Sequence, residues 1–416
     1  MSTIISEHAS LLRVLISLIC IILPILVPAL RPRQPRPKGC RLLGLAHGQK
    51  SNLHDEFNPV YSDANSYRVK ALFTYPLKSC RGIELQVADV VPTGLQFDRM
   101  FTFAEYGADG WNCRTLRNSG FHNLALIHPE IWLPDPSASD YDPALPEVHS
   151  RGVMVVSYPR LWPAGWRGLL VQMGMMLGIV SRRRFFQVPL FPNAEEKLVP
   201  VTIWKDQPLS YDYGQYLPAS LHEFLGKDTK GQKQKQINLF RASTEHHREI
   251  FRNAPRKENL GFQPVTSFAD AYPIHLLSLS SHRDVASRCA YAIPRLTICR
   301  FRANVIVEGP DAFAEDHWKR ISIGGTEIHT VCRTVRCLLP NVNYDTGVRH
   351  LHEPDRTLKS YRRIDLGAKQ YACLGMQLVP AKREFTVRVG DSVDVLEMGE
   401  HYYIKMLSPG EKVPGV

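Results

Sequence analysis

The 416 residues are too many for one ordinary hydrophobic core, so we expect two globular units with additional segments. The 44% hydrophobic and 9% aromatic residues are typical of a folded protein and exclude global disorder. Residues 1–50 contain seven Lys and Arg and one Glu, so the other 366 residues carry only +5 of the +11 net charge. Those residues also show no basic, aromatic-rich surface for contacting bases, so the sequence does not indicate a nucleic-acid-binding protein.

An apolar run opens the chain. Residues 14–30 contain no charge over 17 positions, close to the minimum of ~17–25 residues that cross a bilayer. A cleaved signal peptide is the alternative, but no small-residue cleavage site comes after the run. Basic, proline-spaced residues at 31–38 favour a cytosolic location for the rest of the chain. We therefore predict a transmembrane helix and an extended spacer within residues 1–40, followed by a linker at 41–66.

Residues 67–225 are rich in short strand-like segments that Gly and Pro separate, and they predict a β-domain with some helix. Within this region, residues 168–180 form a second apolar run that Arg167 and Arg182 to Arg184 flank. Thirteen residues are too few to span a bilayer. The run is either a core helix or an interfacial helix that lies on a membrane.

Residues 226–260 are polar and charged, and we interpret them as a loop or linker. Residues 261–400 then alternate an apolar strand, a helix and several β-branched strands that Gly pairs interrupt, which favours a barrel. Residues 401–416 are a C-terminal tail. The predicted fold class is mixed α+β and rich in β-structure.

Cysteine usage indicates a reducing environment. Nine cysteines occur, an odd number, and none forms a CxxC pair or a zinc-finger spacing. Reduced thiols in a protein that faces the cytosol fit this pattern best.

Three separated motifs combine Arg, Lys, Ser, Asn and Cys: YPLKSCRGIEL at 75–85, RFRANVIVEG at 300–309 and VCRTVRCLLPNVNYDTG at 331–347. A soft metal on an anionic, phosphate-bearing cofactor requires a thiolate, guanidinium groups and small hydrogen-bonding side chains close together. Cys337 follows Arg336 and lies four residues after Arg333. If both guanidinium groups approach the sulfur, we expect them to lower its pKa.

The motifs also make the sequence resemble the MOSC superfamily, and most closely its mitochondrial amidoxime-reducing component branch, over about residues 67–400. The resemblance rests on YPLKSCRG, GLQFDR at 94–99, RFRANVIVEGPDAFAEDHW, Arg336-Cys337, DTG at 345–347, LKSYR at 358–362 and VGDSV at 389–393. It implies a MOSC N-terminal β-barrel domain at 67–225 and a MOSC β-barrel domain at 261–400. Val335 and Ala303 depart from the family, which usually has serine and proline there.

By the same resemblance, the chain binds a molybdenum cofactor, that is molybdopterin with molybdenum, and reduces small N-hydroxylated substrates. Cys337 would be the metal ligand and a catalytic residue. Asp345 would either transfer protons or cap a turn. The other residues that the resemblance implies as cofactor contacts are Lys78, Ser79, Arg99, Arg117, Arg302, Asn304 and Arg336.

The sequence lacks a dinucleotide fingerprint, a P-loop and a haem-attachment motif, so electrons must come from outside. The resemblance implies a b-type cytochrome and its flavoprotein reductase as donors. The predicted location is the mitochondrial outer membrane, and another membrane is the alternative. The alternative is a carrier of the molybdenum cofactor or a sulfur-transfer module, since MOSC domains also end the molybdenum-cofactor sulfurases. Those enzymes add a pyridoxal-phosphate domain that this sequence does not contain. A degenerate scaffold is the third possibility.

Overall fold

The computed structural model describes residues 34–46, 48–58, 66–193, 196–226, 236–309 and 311–405. The transmembrane helix predicted at residues 14–30 lies outside these ranges. Within them, no helix combines the length and the apolarity that a bilayer crossing requires.

The described residues are rich in short strands, and the predicted β-rich, mixed fold class is confirmed at this level. In chain order the strands are β1 Cys40–Leu42, β2 Arg68–Thr74, β3 Ile83–Leu85, β4 Val87–Val91, β5 Gly94–Leu95, β6 Phe101–Gly107, β7 Gly110–Cys113, β8 His128–Pro134, β9 Val153–Pro159, β10 Arg183–Pro189, β11 Leu198–Thr202, β12 Leu209–Asp212, β13 Ile237–Ala242, β14 Arg248–Glu249, β15 Val265–Thr266, β16 Ile274–Ser278, β17 Val305–Glu308, β18 Trp318–Ile323, β19 Thr326–Val335, β20 Cys373–Pro380, β21 Phe385–Arg388 and β22 Val393–Met398.

Helices are fewer and short. The α-helices are α1 Pro146–His149, α2 Trp166–Met176, α3 Ala219–Gly226, α4 Lys257–Leu260, α5 Leu279–Cys289 and α6 Asp355–Tyr361. The 3-10 helices are His122–Leu126, Gly214–Tyr216, Ile298–Phe301, Ala314–His317 and Leu339–Asn341.

The largest sheet has eight strands in the order β22-β18-β19-β20-β16-β17-β2-β3. Strands β16 and β17 are parallel, and α5 lies in the crossover between them. Strand β2, from the N-terminal region, pairs antiparallel with β17 and places Leu72 opposite Val305. Strands from both predicted domains therefore share one sheet.

A β-bulge interrupts the alternation of side chains along β2, since Val69 pairs with Val307 and Ala71 pairs with the adjacent Ile306. Val69 and Leu72 pack into one buried cluster with Trp318 and Met376, whereas Ala71 and Phe73 pack into a second cluster. Both faces of the sheet are thus covered by apolar side chains.

A closed barrel is formed by β11, β12, β13, β6 and β7. Its strand β13 pairs with β6 and lies inside the stretch 226–260 that we predict as a loop, so that prediction is wrong for Ile237–Ala242. Within 261–400, strands β16 to β20 and β22 belong to the eight-stranded sheet. The Val69 N–H donates to the Asp391 carbonyl and the Val393 N–H donates to the Tyr67 carbonyl, so the chain at the start of the end strand β22 also bonds to the start of β2. The barrel predicted at 261–400 stays a prediction. The smaller sheets have the orders β1-β8-β9-β10, β21-β4-β5 and β14-β15.

Two compact units can be distinguished in the described chain. One contains residues 157–186, and the other contains 37–156 and 187–405. In the first unit, α2 buries only Gly168, so the core-helix interpretation of residues 168–180 is wrong.

Candidate functional site

A cavity of about 560 Å³ lies where the loop after β2, the Ile298–Phe301 turn and the end of β19 meet. Eight residues predicted as cofactor contacts line it: Lys78, Ser79, Arg99, Arg117, Arg302, Asn304, Arg336 and Cys337. The fold therefore brings the three sequence motifs to one site.

The cavity is strongly basic. It is lined by two acidic side chains, Asp206 and Asp270, and by ten cationic ones: Lys78, Arg99, Arg117, Lys205, Arg248, Arg302, Arg333, Arg336, Lys369 and Lys405. Both carboxylates form ion pairs, Asp206 with Arg248 and Asp270 with Lys78. Arg99 and Arg333 pair with Asp98 and Glu400, which do not line the cavity. The lining still contains more cationic than acidic side chains, which suits a polyanionic ligand.

The backbone of the cavity wall is unusual. Ser79, Arg99, Trp204 and Arg302 have φ values of 68°, 47°, 57° and 58°, in the left-handed region that L-residues rarely adopt. Such conformations persist where the surrounding structure enforces them, and they cluster at binding and catalytic sites. Arg302 takes its conformation because it ends the Ile298–Phe301 turn.

Lys78 is almost completely buried, and its Nζ donates to Asp270 Oδ1 at 2.6 Å and to the Phe268 carbonyl at 2.7 Å. Desolvation alone would raise the pKa of Asp270, but the Lys78 ammonium outweighs it and holds that pKa well below its usual range. The Asp270 carboxyl is therefore ionised at neutral pH. One N–H of the Lys78 ammonium is left over for a ligand.

Asn304 is fully buried, and its amide is saturated by protein groups. Its Nδ2 donates to the Phe73 carbonyl at 3.1 Å and to Asp98 Oδ1 at 2.9 Å, while its Oδ1 accepts from Arg99 and from the His275 backbone N–H, both at 3.1 Å. The geometry favours a role in positioning Arg99 over the direct cofactor contact that the resemblance implies.

Arg302 and Arg336 are buried beside aromatic rings. Arg302 lies 4.2 Å from the centre of the Tyr75 ring and donates through Nη1 to the Cys80 carbonyl. Arg336 lies 5.1 Å from the Phe301 ring and donates through Nη2 to the Phe301 carbonyl at 3.0 Å. These contacts fix both guanidinium groups before a ligand binds.

Four buried nitrogens that belong to cavity-lining residues have no hydrogen-bond partner within the described chain: Arg302 Nη2, Arg333 Nε, Arg336 Nε and His275 Nε2. Buried polar groups without partners are rare, because each is destabilising until something bonds to it. An anionic group with several acceptor atoms would supply the missing partners. The donors present therefore fit a phosphate-bearing organic cofactor.

Cys337 follows β19 and is half-buried at the cavity wall. Burial, followed by the charge of Asp270, raises the pKa of its thiol, although the Leu339 backbone N–H, Arg336 and Arg117 oppose the increase. The expected lowering by two arginines is thus not seen. Arg333 instead donates to the His401 carbonyl at 2.9 Å and to Glu400 at 3.1 Å.

Arg117 is the exposed member of the predicted set. Its guanidinium stacks 4.3 Å from the centre of the Trp204 ring. Since the stacking leaves the guanidinium edges free, Arg117 can meet an anion at the cavity mouth.

Asp345 does not reach the cavity, and its predicted catalytic role is corrected. Its side chain is 78% exposed and pairs with Arg81, and its backbone N–H donates to Asn343 Oδ1 at 2.8 Å. The residue lies in a turn that Asn343 organises.

Sequence reasoning missed His275 and Asp270. His275 is the one ionisable residue in the strand β16, between Ile274 and Leu276, and this contrast with its neighbours was the available signal. Its burial, with the charges of Arg336 and Arg99, lowers its pKa far below the usual range, so the imidazole is neutral. Asp270 precedes the same strand, and no local pattern connects it to Lys78.

Two family models match the chain in succession. The model described as MOSC N-terminal beta barrel domain matches residues 66–135, and the model described as MOSC domain matches residues 263–394. The cavity contains residues from both matched ranges.

Curated proteins with related sequences point the same way. Mitochondrial amidoxime-reducing component 1 of Mus musculus is 24% identical over 335 residues, 79% of this chain and 82% of that protein. The human protein of the same name is 35% identical over 133 residues, only 31% of this chain and 39% of its own length. Molybdenum cofactor sulfurase of Bos taurus is 22% identical over 77% of this chain and 33% of that protein.

Residues 66–135 therefore match a MOSC N-terminal beta barrel domain and residues 263–394 match a MOSC domain, and the chain is similar in sequence to proteins named mitochondrial amidoxime-reducing component.

Proposed function

We propose that this protein is a membrane-anchored, molybdenum-cofactor-binding oxidoreductase that reduces N-hydroxylated substrates. The observation that carries the proposal is the basic cavity in which a half-buried cysteine lies among buried guanidinium nitrogens without partners. The relatives named amidoxime-reducing component support the reaction class.

In this proposal Cys337 Sγ is the protein ligand to molybdenum. A thiol with a raised pKa still serves, because metal coordination displaces the thiol proton. Arg302, Arg336 and Lys78 bind the phosphate and pterin oxygens, Ser79 adds a hydroxyl, and Arg117 closes the mouth. Asn304 holds Arg99 in place.

When bound, the cofactor supplies the two-electron reduction of the substrate N–O bond. Overall, an amidoxime takes up two electrons and two protons and gives an amidine and water. The electrons would come from a b-type cytochrome reduced by its flavoprotein reductase. Residues 14–30 would anchor the chain in a membrane, with the mitochondrial outer membrane as the proposed location and the folded body in the cytosol.

Steady turnover tests the proposal. Full-length protein from a cofactor-synthesising host is mixed with an artificial one-electron donor and benzamidoxime, and benzamidine is measured. We expect turnover by the wild type and loss of at least about 100-fold in Cys337→Ser, because the metal loses its thiolate ligand. Cys299→Ser, a half-buried cysteine outside the cavity, is the matched control and should keep its activity.

A cofactor carrier or sulfur-transfer module is the second candidate, since the match to the sulfurase covers 77% of this chain. It predicts release of bound cofactor to an apo-enzyme with no amidine formed. That outcome in the same preparation would replace the reductase proposal.

A further inference from the structure

The exposed apolar side chains of the protein are concentrated around α2. Of the twenty-two exposed large hydrophobic residues in the described ranges, seven lie between residues 162 and 177: Trp162, Trp166, Leu169, Leu170, Met173, Met176 and Leu177. Scattered exposed hydrophobics are normal on a soluble surface, but a contiguous group indicates a binding partner.

Helix α2 lacks the continuous polar face that a surface helix of a soluble protein usually has. Its eleven residues include only Arg167 and Gln172 as polar side chains, and Leu169 and Met176 are 62% and 73% exposed. A helix that is apolar on most sides requires an apolar environment. At about 1.5 Å per residue it is roughly half the thickness of a bilayer core, so it cannot cross one.

The charges around the helix are all of one sign. Residues 157–186 contain five arginines, at positions 160, 167, 182, 183 and 184, and no Asp or Glu. Arg160 and Arg183 stabilise the base of the unit, since Arg160 Nε donates to the Ser181 carbonyl at 2.9 Å and Arg183 donates to the Ser157 carbonyl at 2.8 Å. Arg167, Arg182 and Arg184 are exposed.

The helix is also held in a defined shape. Gly168 is required at its position because a Cβ there would collide with the Pro163 carbonyl oxygen. Gly178, with a φ of 74°, ends the helix in the left-handed conformation that favours glycine. The apolar side chains are therefore presented by an ordered element.

We propose that the surface made by residues 162–184 lies on a bilayer that contains anionic phospholipid, with the α2 side chains in the interface. Trp162 and Trp166 suit this place because indole rings favour the headgroup region. The exposed arginines can bind the phosphate groups of anionic lipids. An acidic protein as the partner would explain the arginines but would leave the seven exposed apolar side chains unexplained. This contact is independent of the cofactor and separate from the anchor proposed at residues 14–30.

The test must detect lipid contact at the α2 surface itself, because the proposed anchor could bind the full-length chain to any vesicle. Full-length protein is reconstituted with vesicles whose acyl chains carry bromine near the headgroup, which quenches tryptophan only at contact. One set contains phosphatidylcholine alone, and the other adds about one third phosphatidylglycerol. We expect stronger quenching, by about two-fold, in the anionic vesicles, because exposed arginines add electrostatic attraction. The excess should disappear in the double variant W162F/W166F.

A charge-reversal pair isolates the arginines. In the triple variant R167E/R182E/R184E, quenching in the anionic vesicles should no longer exceed quenching in the phosphatidylcholine vesicles. The triple variant R363E/R383E/R388E changes three exposed arginines outside the surface and alters the net charge equally, so it should behave as the wild type.

Two results would overturn the proposal. One is quenching that is equal in the two vesicle types or unchanged in W162F/W166F. The other is a blue shift of Trp162 and Trp166 emission that grows with protein concentration without lipid, which would identify a second copy of the chain as the occupant.

Discussion

At the scale of single residues, Asn304 illustrates how a side chain can serve a site without contacting its ligand. Four hydrogen bonds join its amide to Arg99, Asp98, the Phe73 carbonyl and the His275 backbone N–H. We expect Asn304→Leu to lower the free energy of unfolding of the cofactor-free chain by at least about 3 kcal/mol, since each buried group left unpaired costs ~1–3 kcal/mol. Denaturant unfolding measures this.

Asn123→Leu is the control for this prediction, because the Asn123 Nδ2 donates to one carbonyl, that of Phe224, at 3.3 Å. It should destabilise the chain far less. Unchanged stability of cofactor-free Asn304→Leu, with loss of bound cofactor only, would show that Asn304 reads the cofactor directly.

The site residues that sequence could predict are those within compact motifs. Lys78, Arg302 and Cys337 each lie in a short string of chemically coherent residues, and all three line the cavity. Asp345 also lies in such a string, yet its side chain points to solvent because the Asn343 turn directs it there. Spacing along the chain does not encode side-chain direction within a turn.

At the scale of elements, Gly375 makes room for His275. It has a φ of 76° in β20, and a Cβ there would lie 2.5 Å from the Leu276 carbonyl oxygen and 2.7 Å from His275 Nε2. We expect Gly375→Ala to destabilise the chain by about 2–4 kcal/mol, because left-handed strain adds to overpacking. Thermal and denaturant unfolding would check this value.

Gly325→Ala is the matched control, since Gly325 has a φ of 80° and open space where a Cβ would lie. It should show only the conformational part, about 1–2 kcal/mol. Equal destabilisation by the two variants would mean that Gly375 is required for its backbone conformation alone.

A second element-scale prediction concerns Glu315 in the Ala314–His317 turn. The side chain is fully buried, and burial raises its pKa to about 7, although Ser281 Oγ donates to it at 2.8 Å. A carboxyl whose pKa rises on folding stabilises the fold below its ordinary pKa near 4.5, and this stability is lost as pH rises towards 7.

The Gln side chain of Glu315→Gln cannot ionise. The free energy of unfolding of the variant should therefore increase relative to that of the wild type as pH rises from about 5 to about 7.5. Denaturant titrations of both proteins across this range measure the difference. A constant difference would show that folding does not raise the pKa of Glu315.

Strand β13 shows why element prediction was incomplete. Four of its six residues, Ile237, Leu239, Phe240 and Ala242, are apolar, but they come directly after a strongly polar stretch. The composition of 226–260 as a whole therefore indicated a loop, whereas pairing with β6 and β12 makes this short segment a barrel strand.

At the scale of the whole molecule, the N-terminal strands complete the C-terminal sheet. Strand β2 pairs with β17, and Val69 and Leu72 lie in the same buried cluster as Trp318. We expect a chain limited to residues 263–405 to lack cooperative unfolding, because β17 loses its partner and the core loses part of its apolar cover. Calorimetry of the fragment and of the full chain under the same conditions tests this prediction. A sharp unfolding transition in the fragment would contradict it.

Sequence patterns predicted the β-rich class and the two matched domains. They did not predict that strands of the N-terminal region join the sheet of the C-terminal region. Hydrophobic alternation shows that a segment forms a strand, and it carries no information on a partner more than two hundred residues away, as between Leu72 and Val305.

The central claim is that the basic cavity around Cys337 holds a molybdenum cofactor. Its most direct test is the molybdenum and pterin content of full-length protein purified from a cofactor-synthesising host. We predict about one molybdenum and one pterin per chain, since the cavity presents one cysteine ligand. Protein that contains neither, from cells in which a second molybdenum enzyme is fully loaded, would contradict the account.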